Sequence, residues 1–216
     1  MTDDLPEDSK LTRTKRLWAE AGKFLTGRTG EDRLPPGQHL VQNWPVLDLG
    51  SQPAVATATW RLDVTGLVET PVSLDWAGFG SLPRTGLRTD IHCVTTWSRF
   101  DNDWEGVHPR DLLALAGPLP VASHVMLSSH DGYTTNLPLE DFLTDAALLA
   151  THWQGQPLTR EHGAPLRALV PHLYFWKSAK WLRGIELMAG DRAGFWEQNG
   201  YHMYGDPWRE QRYSSD

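Results

Sequence analysis

Cys93 is the only cysteine in the chain, and it stands in Asp90-Ile91-His92-Cys93-Val94-Thr95-Thr96-Trp97. A lone cysteine serves as a small buried hydrophobe, as a nucleophile, or as one thiolate donor to a metal whose other ligands come from outside the protein. It excludes an intrachain disulfide, an all-cysteine zinc site and an iron–sulfur cluster. Cysteine hydrolysis needs a histidine base and an orienting partner. His92 is adjacent, but on a strand it points to the opposite face from Cys93. A second concentration of chemistry lies further on. Arg160, Arg167, Lys177, Lys180 and Arg183 stand among Gly163, Pro165, Pro171 and the aromatic run Tyr174-Phe175-Trp176. Lysine, arginine and turn N–H groups together hold phosphates. Most charge clusters are solvated faces, but interleaved proline, glycine and aromatics suit a loop folded around an anion.

Other motifs are missing. There is no G-x-G-x-x-G, no P-loop and no C-x-x-C-H haem attachment. The nine histidines are scattered and none has His-x-x-x-His metal spacing. His130-Asp131-Gly132-Tyr133 offers acid–base groups, although its Asp-Gly already reads as a hairpin turn. Of the eleven tryptophans, most belong to a core. Trp97 and Trp176 are the first candidates to wall a pocket.

The elements that must position these groups are mostly strands. Alternation predicts strands over residues 55–65, 87–95, 121–129, 133–137, 147–153, 166–170 and 181–187. Residues 71–80 read as a short helical turn. Residues 109–116 read as a helix started by Pro109, and residues 139–144 as one or two helical turns. Residues 195–213 are aromatic and charged without a clear period. Strands joined by turns predict an α+β fold with mixed or antiparallel sheets. Residues 1–30 read as a polar segment with a short amphipathic helix over 11–25, carrying Leu11, Trp18 and Leu25. Residues 31–216 are expected to form a single domain.

The net charge of −7 argues against nucleic-acid binding, which needs a basic surface. No stretch reaches the ~20 apolar residues of a membrane span. The acidic N-terminus lacks the apolar core of a secretory signal. A reducing, bacterial-type cytoplasm is the expected compartment.

Four segments carry a family likeness. Asp-Ile-His-Cys-Val-Thr-Thr-Trp-Ser (90–98), His-Gly-Ala-Pro-Leu-Arg (162–167), Val-Pro-His-Leu-Tyr-Phe-Trp-Lys-Ser-Ala-Lys-Trp (170–181) and Gly-Ile-Glu-Leu (184–187) resemble the sulfite oxidase family of molybdenum enzymes. The small haem-free bacterial branch, related to the catalytic subunit of the methionine-sulfoxide reductase system, is the nearest likeness. It covers residues 33–213. The resemblance implies molybdenum on a single molybdopterin without an added nucleotide. It implies Cys93 as the one protein ligand to the metal. It places Arg167, Lys180 and the Ser178 and Ala179 backbone around the cofactor's phosphate end. His162 stands where the reductase relatives have Asn, and Ser129 where they have Thr. Pro36, Gly37 and Gln38 are expected to add cofactor contacts. Arg99, His130 and Tyr133 are the candidates to face the substrate.

The resemblance thus implies an oxidoreductase, moving an oxygen atom or two electrons to or from a small substrate such as a sulfite-like oxyanion or an S- or N-oxide. An external carrier, a protein or a quinone-linked partner, takes or supplies the electrons. The alternatives are a non-catalytic molybdopterin-binding module and a hydrolase using Cys93 with His92 or His130.

Overall fold

A computed structural model describes residues 33–216. The segment 11–25 and the expected boundary near residue 30 lie outside the described residues. In chain order the strands are β1 (His39–Leu40), β2 (Arg61–Gly66), β3 (Val72–Asp75), β4 (Arg84–His92), β5 (Trp97–Val107), β6 (His124–Ser129), β7 (Thr134–Pro138), β8 (Leu148–Trp153), β9 (Gln156–Pro157), β10 (Arg167–Leu169) and β11 (Leu182–Met188). The helices are short: α1 (Trp76–Gly80), α2 (Pro109–Ala116), α3 (Leu139–Phe142) and α4 (Phe195–Gln198).

Two mixed sheets result, as the alternation predicts. One is ordered β1-β5-β8-β10, with β4 on the other edge of β5 and β9 on β8; the second is ordered β3-β2-β11-β6-β7. β1 runs parallel to β5 and β11 parallel to β2, and the remaining pairs are antiparallel. One apolar cluster joins the sheets. It includes Leu62, Val64, Ile185 and Leu187 from one, and Ile91, Val107, Leu149 and Leu169 from the other. Burial of such side chains is the main stabilising term.

Two local readings are corrected. Residues 71–80 begin as strand β3, because Val72 to Asp75 pair antiparallel with β2. Only then does α1 start, with Asp75 accepting from the Gly78 N–H at 2.8 Å as its N-cap. The strand over 87–95 stops at His92, which leaves Cys93 in a loop. Helix α2 has the expected bounds. His108 caps it by accepting from the Arg110 N–H, and Gly117 ends it at φ 64°.

A buried ion pair fixes the C-terminal part against β7. Lys177 and Glu197 are both fully buried, 2.6 Å apart. The ammonium also donates to both oxygens of Asn136 and to the Met203 carbonyl. Glu197 Oε1 further accepts from Trp176 Nε1 at 2.8 Å. Removing one partner of such a pair strands the other charge in a medium that solvates it poorly. Lys177→Met is therefore expected to lower stability by about 3–5 kcal/mol in urea unfolding. A loss under about 1 kcal/mol would show the pair to be dispensable.

Candidate active site

Residues 93–96 link β4 to β5 in a tight loop. The Cys93 N–H donates to the Trp97 carbonyl at 2.8 Å, and the Thr96 N–H to the Cys93 carbonyl at 3.0 Å. Thr96 is buried with φ 73°. A β-branched residue in that left-handed region is strained, and surrounding contacts must hold it there. They do so from behind the loop. Gln38 Nε2 donates to the Cys93 carbonyl at 3.1 Å. Ser98 Oγ donates to Gln38 Oε1 at 3.2 Å, and His92 Nδ1 lies 2.8 Å from Ser98 Oγ. Arg212 donates to the Val94 carbonyl at 2.8 Å and to the Pro36 carbonyl at 3.3 Å. The Cys93 sulfur faces the other way, beside Thr95 Oγ1 at 3.2 Å. Burial lowers the His92 pKa to about 4, so its ring is neutral near pH 7.

A second wall comes from β10 and the turns on either side of it. Arg167 is 2% exposed. Its guanidinium donates to the carbonyls of His162 (3.0 Å), Ser178 (2.8 Å) and Ala168 (3.3 Å), and lies 4.2 Å from the Phe175 ring centre. No carboxylate pairs with it among the described residues. Burial alone draws its pKa down to about 9. His162 stacks on Trp44 with ring centres 3.8 Å apart. Burial first, and then Arg167, lower its pKa to about 4. Lys180 Nζ donates to the Glu161 carbonyl at 2.8 Å. Gly163, at φ 106°, lets that turn lie against Lys180, whose Cβ a side chain would meet at 3.0 Å. Trp181, next to Lys180, is also left-handed at φ 49°. Both loops that carry chemistry therefore hold a strained residue.

The two walls face one another across a cleft that opens to solvent. Its lining brings together Cys93, Tyr133, His162, Arg167, Ser178, Ala179 and Lys180, and both Trp97 and Trp176. Pro36, Gly37, Gln38, Arg99, Ser129 and His130 are not among the lining residues. Gln38 supports the Cys93 loop instead. Arg99 hydrogen-bonds Asn102 and the Gln42 carbonyl. His130 is held by its N–H on the Trp181 carbonyl. The Ser129 hydroxyl is buried with no hydrogen-bond partner. Lining residues outside the expected set include Trp44, Thr95, Phe175, Trp196 and Tyr201. Thr95 and Phe175 stand inside the motifs that carry the family likeness, whereas the aromatic density of 195–201 is the only sequence signal for Trp196 and Tyr201. Tyr133 is 8% exposed, and its hydroxyl donates to the Trp176 carbonyl at 2.6 Å.

Among the described residues no three His, Cys, Asp or Glu gather to hold a metal ion. A metal on Cys93 would take its remaining donors from a cofactor. A buried arginine with no acidic partner, in the same cleft, suits an anionic group on that cofactor. Among the described residues no helix is long and apolar enough to cross a membrane.

A profile of the family described as "Oxidoreductase molybdopterin binding domain" matches residues 49–196. The uncharacterized oxidoreductase YuiH of Bacillus subtilis (strain 168) is 51% identical over 185 residues, which are 85% of this chain and 93% of YuiH. A sulfite oxidase of Arabidopsis thaliana is 29% identical over 181 residues, 68% of this chain but only 46% of that protein. The crystal structure of the sulfane dehydrogenase SoxCD from Paracoccus pantotrophus superposes with a TM-score of 0.60 at 23% identity, covering 65% of this chain and 41% of that one. At that identity the likeness is one of fold.

Proposed function

This chain belongs to the molybdopterin-binding oxidoreductase family, and we propose that it moves an oxygen atom, or two electrons, between a small substrate and an external electron carrier. The observation that carries this reading is the pairing, in one cleft, of a single soft thiol with a buried cation that has no acidic partner.

The donors fit the family's cofactor, molybdenum on a single molybdopterin. Cys93 would hold the metal, since a thiolate suits a sulfur-rich site. Arg167, with Lys180 and the backbone of Ser178 and Ala179, would hold the cofactor's anionic end. Once bound, the cofactor supplies a metal that changes oxidation state by two. The chain's own groups then orient and insulate. Gln38 and Arg212 keep the Cys93 loop rigid through its carbonyls. Trp44 and Phe175 cover the Arg167 guanidinium and exclude water from it. Burial holds the Tyr133 hydroxyl well above its usual pKa, so it stays protonated and committed to the Trp176 carbonyl. With one cysteine the chain offers no cluster of its own, so electrons pass to or from a carrier protein or a quinone-linked partner.

Protein expressed in a host that makes the cofactor should contain about one molybdenum and one pterin per chain, by metal analysis and pterin fluorescence. A well-folded sample with neither sinks the reading. Both present, with no turnover of any candidate substrate, would instead favour a binding module.

A further inference from the structure

Thr95 follows Cys93 by two positions and turns its hydroxyl back on the sulfur. Its Oγ1 lies 3.2 Å from Cys93 Sγ, and both residues line the cleft. The loop fixes that meeting. The Thr96 N–H closes a turn on the Cys93 carbonyl at 3.0 Å, and the Cys93 N–H donates to the Trp97 carbonyl at 2.8 Å. The Thr96 hydroxyl donates to the Thr95 carbonyl at 2.7 Å, which clamps the peptide between the two threonines. Gln38 and Arg212 hold the Cys93 and Val94 carbonyls from behind. Cys93 is 6% exposed and Thr95 9%, so water has little access to the pair. In a free thiol either atom can donate. A thiolate has no proton, so once Cys93 is a ligand the threonine hydroxyl must be the donor. A hydrogen bond to a charged acceptor in a water-poor site is among the stronger ones. It draws electron density out of the sulfur, which then gives less to the metal, and a metal with weaker donors holds its higher oxidation state less well.

We propose that Thr95 is a positioning residue for the metal's ligand: its hydroxyl donates to the Cys93 thiolate and raises the potential at which the bound metal is reduced. The inference rests on the proposed function, which makes Cys93 that ligand, and it adds a control on how readily the metal takes up an electron. Thr95 acts through the sulfur, so its effect reaches every substrate alike.

The test uses holoenzyme whose molybdenum content is measured first, in a redox titration followed by the paramagnetic resonance of the metal. Thr95→Val keeps the branched shape and removes the hydroxyl. Thr95→Ala removes it without valine's bulk, and Thr95→Ser keeps it. In the valine and alanine variants the midpoint should fall, the one-electron equilibrium shifting about tenfold, or about 59 mV. The serine variant should keep the wild-type midpoint. Molybdenum content should stay at the wild-type level in all three, since Cys93 is still there to bind it. An unchanged or raised midpoint in loaded valine and alanine variants overturns the inference and leaves the proposed function standing. A serine variant shifted as far as valine overturns it too, because the hydroxyl is then not the cause. Loss of molybdenum from the valine and alanine variants alone does the same, since the hydroxyl would then anchor the metal and not tune it. Wild type that folds without molybdenum overturns the proposed function together with this inference.

Discussion

Cys93→Ser is expected to fold normally, to hold little molybdenum and to lose more than about 100-fold in activity, beyond what removing an outer partner of a metal ligand costs. The loop's shape does not come from the sulfur. It comes from the Cys93 N–H on Trp97, from Gln38 on the Cys93 carbonyl and from Arg212 on the Val94 carbonyl. A serine keeps all three, and its hydroxyl can still meet Thr95 Oγ1, which lies 3.2 Å from the present sulfur. Unfolding free energy should therefore change by less than about 2 kcal/mol. What changes is the donor: oxygen is hard where the metal site calls for a soft ligand. Metal analysis, activity and urea unfolding separate the two effects. Iodoacetamide adds an independent readout, because a metal-bound thiolate should resist alkylation until the metal is removed. Full activity with stoichiometric molybdenum in the serine variant would falsify the ligand assignment, and rapid labelling of loaded wild type would revive the hydrolase reading.

The parts of this site that sequence makes legible are those whose chemistry is local. Cys93 is alone, so a disulfide and a cluster are excluded at once, while its role as a metal ligand is legible only through the family likeness. The 162–180 stretch betrays itself by cations set among glycine, proline and aromatics. Helix α2 announces both ends, with proline after the cap and glycine at the stop. Strand β5 is invisible in the sequence for a physical reason. Its outward residues are charged, because Arg84 and Arg88 on β4 pair with Glu105 and Asp103 across the ladder. Its Gly106 reads as a turn, yet a Cβ there would collide with the Leu149 carbonyl of β8. Nearness to Cys93 in sequence suggests that Arg99 stands at the metal. The β4–β5 register shifts between Thr89 and Ile91, and Asp101 takes φ 55°. That bulge turns Arg99 onto Asn102 and the Trp153 ring, at 4.7 Å. Trp196 and Tyr201 lie in a stretch with no period, where only tertiary packing decides direction. Gln38, expected to touch the cofactor, is used by the fold one layer further back.

Arg167→Met should fold and lose the cofactor, and its pH response should reveal why. In the cofactor-less protein the guanidinium is buried without an acid, and burial lowers its pKa from 12.5 to about 9. Between those two values the unfolded chain binds a proton that the folded chain does not, so this group makes stability rise with pH. Below the folded value both states are charged, and the full penalty of burying the cation applies. Cofactor-less wild type should therefore gain stability relative to Arg167→Met between about pH 8 and about pH 10, the shared titrations of other groups cancelling in the difference. An anion bound beside the guanidinium stabilises its charged form and flattens that difference. Urea unfolding of both proteins at each pH, with and without cofactor, measures it. Affinity is the second readout. Arg167→Lys keeps the charge but not the planar fork that reaches the His162 and Ser178 carbonyls together. With the cation displaced from the anion it would face, one charge-assisted bond worth about 1.5–3 kcal/mol is disturbed, and pterin retention should weaken by about 10- to 100-fold. Retention equal to wild type in both variants would move the anion site away from Arg167, and with it the physical reason for a buried cation at this position.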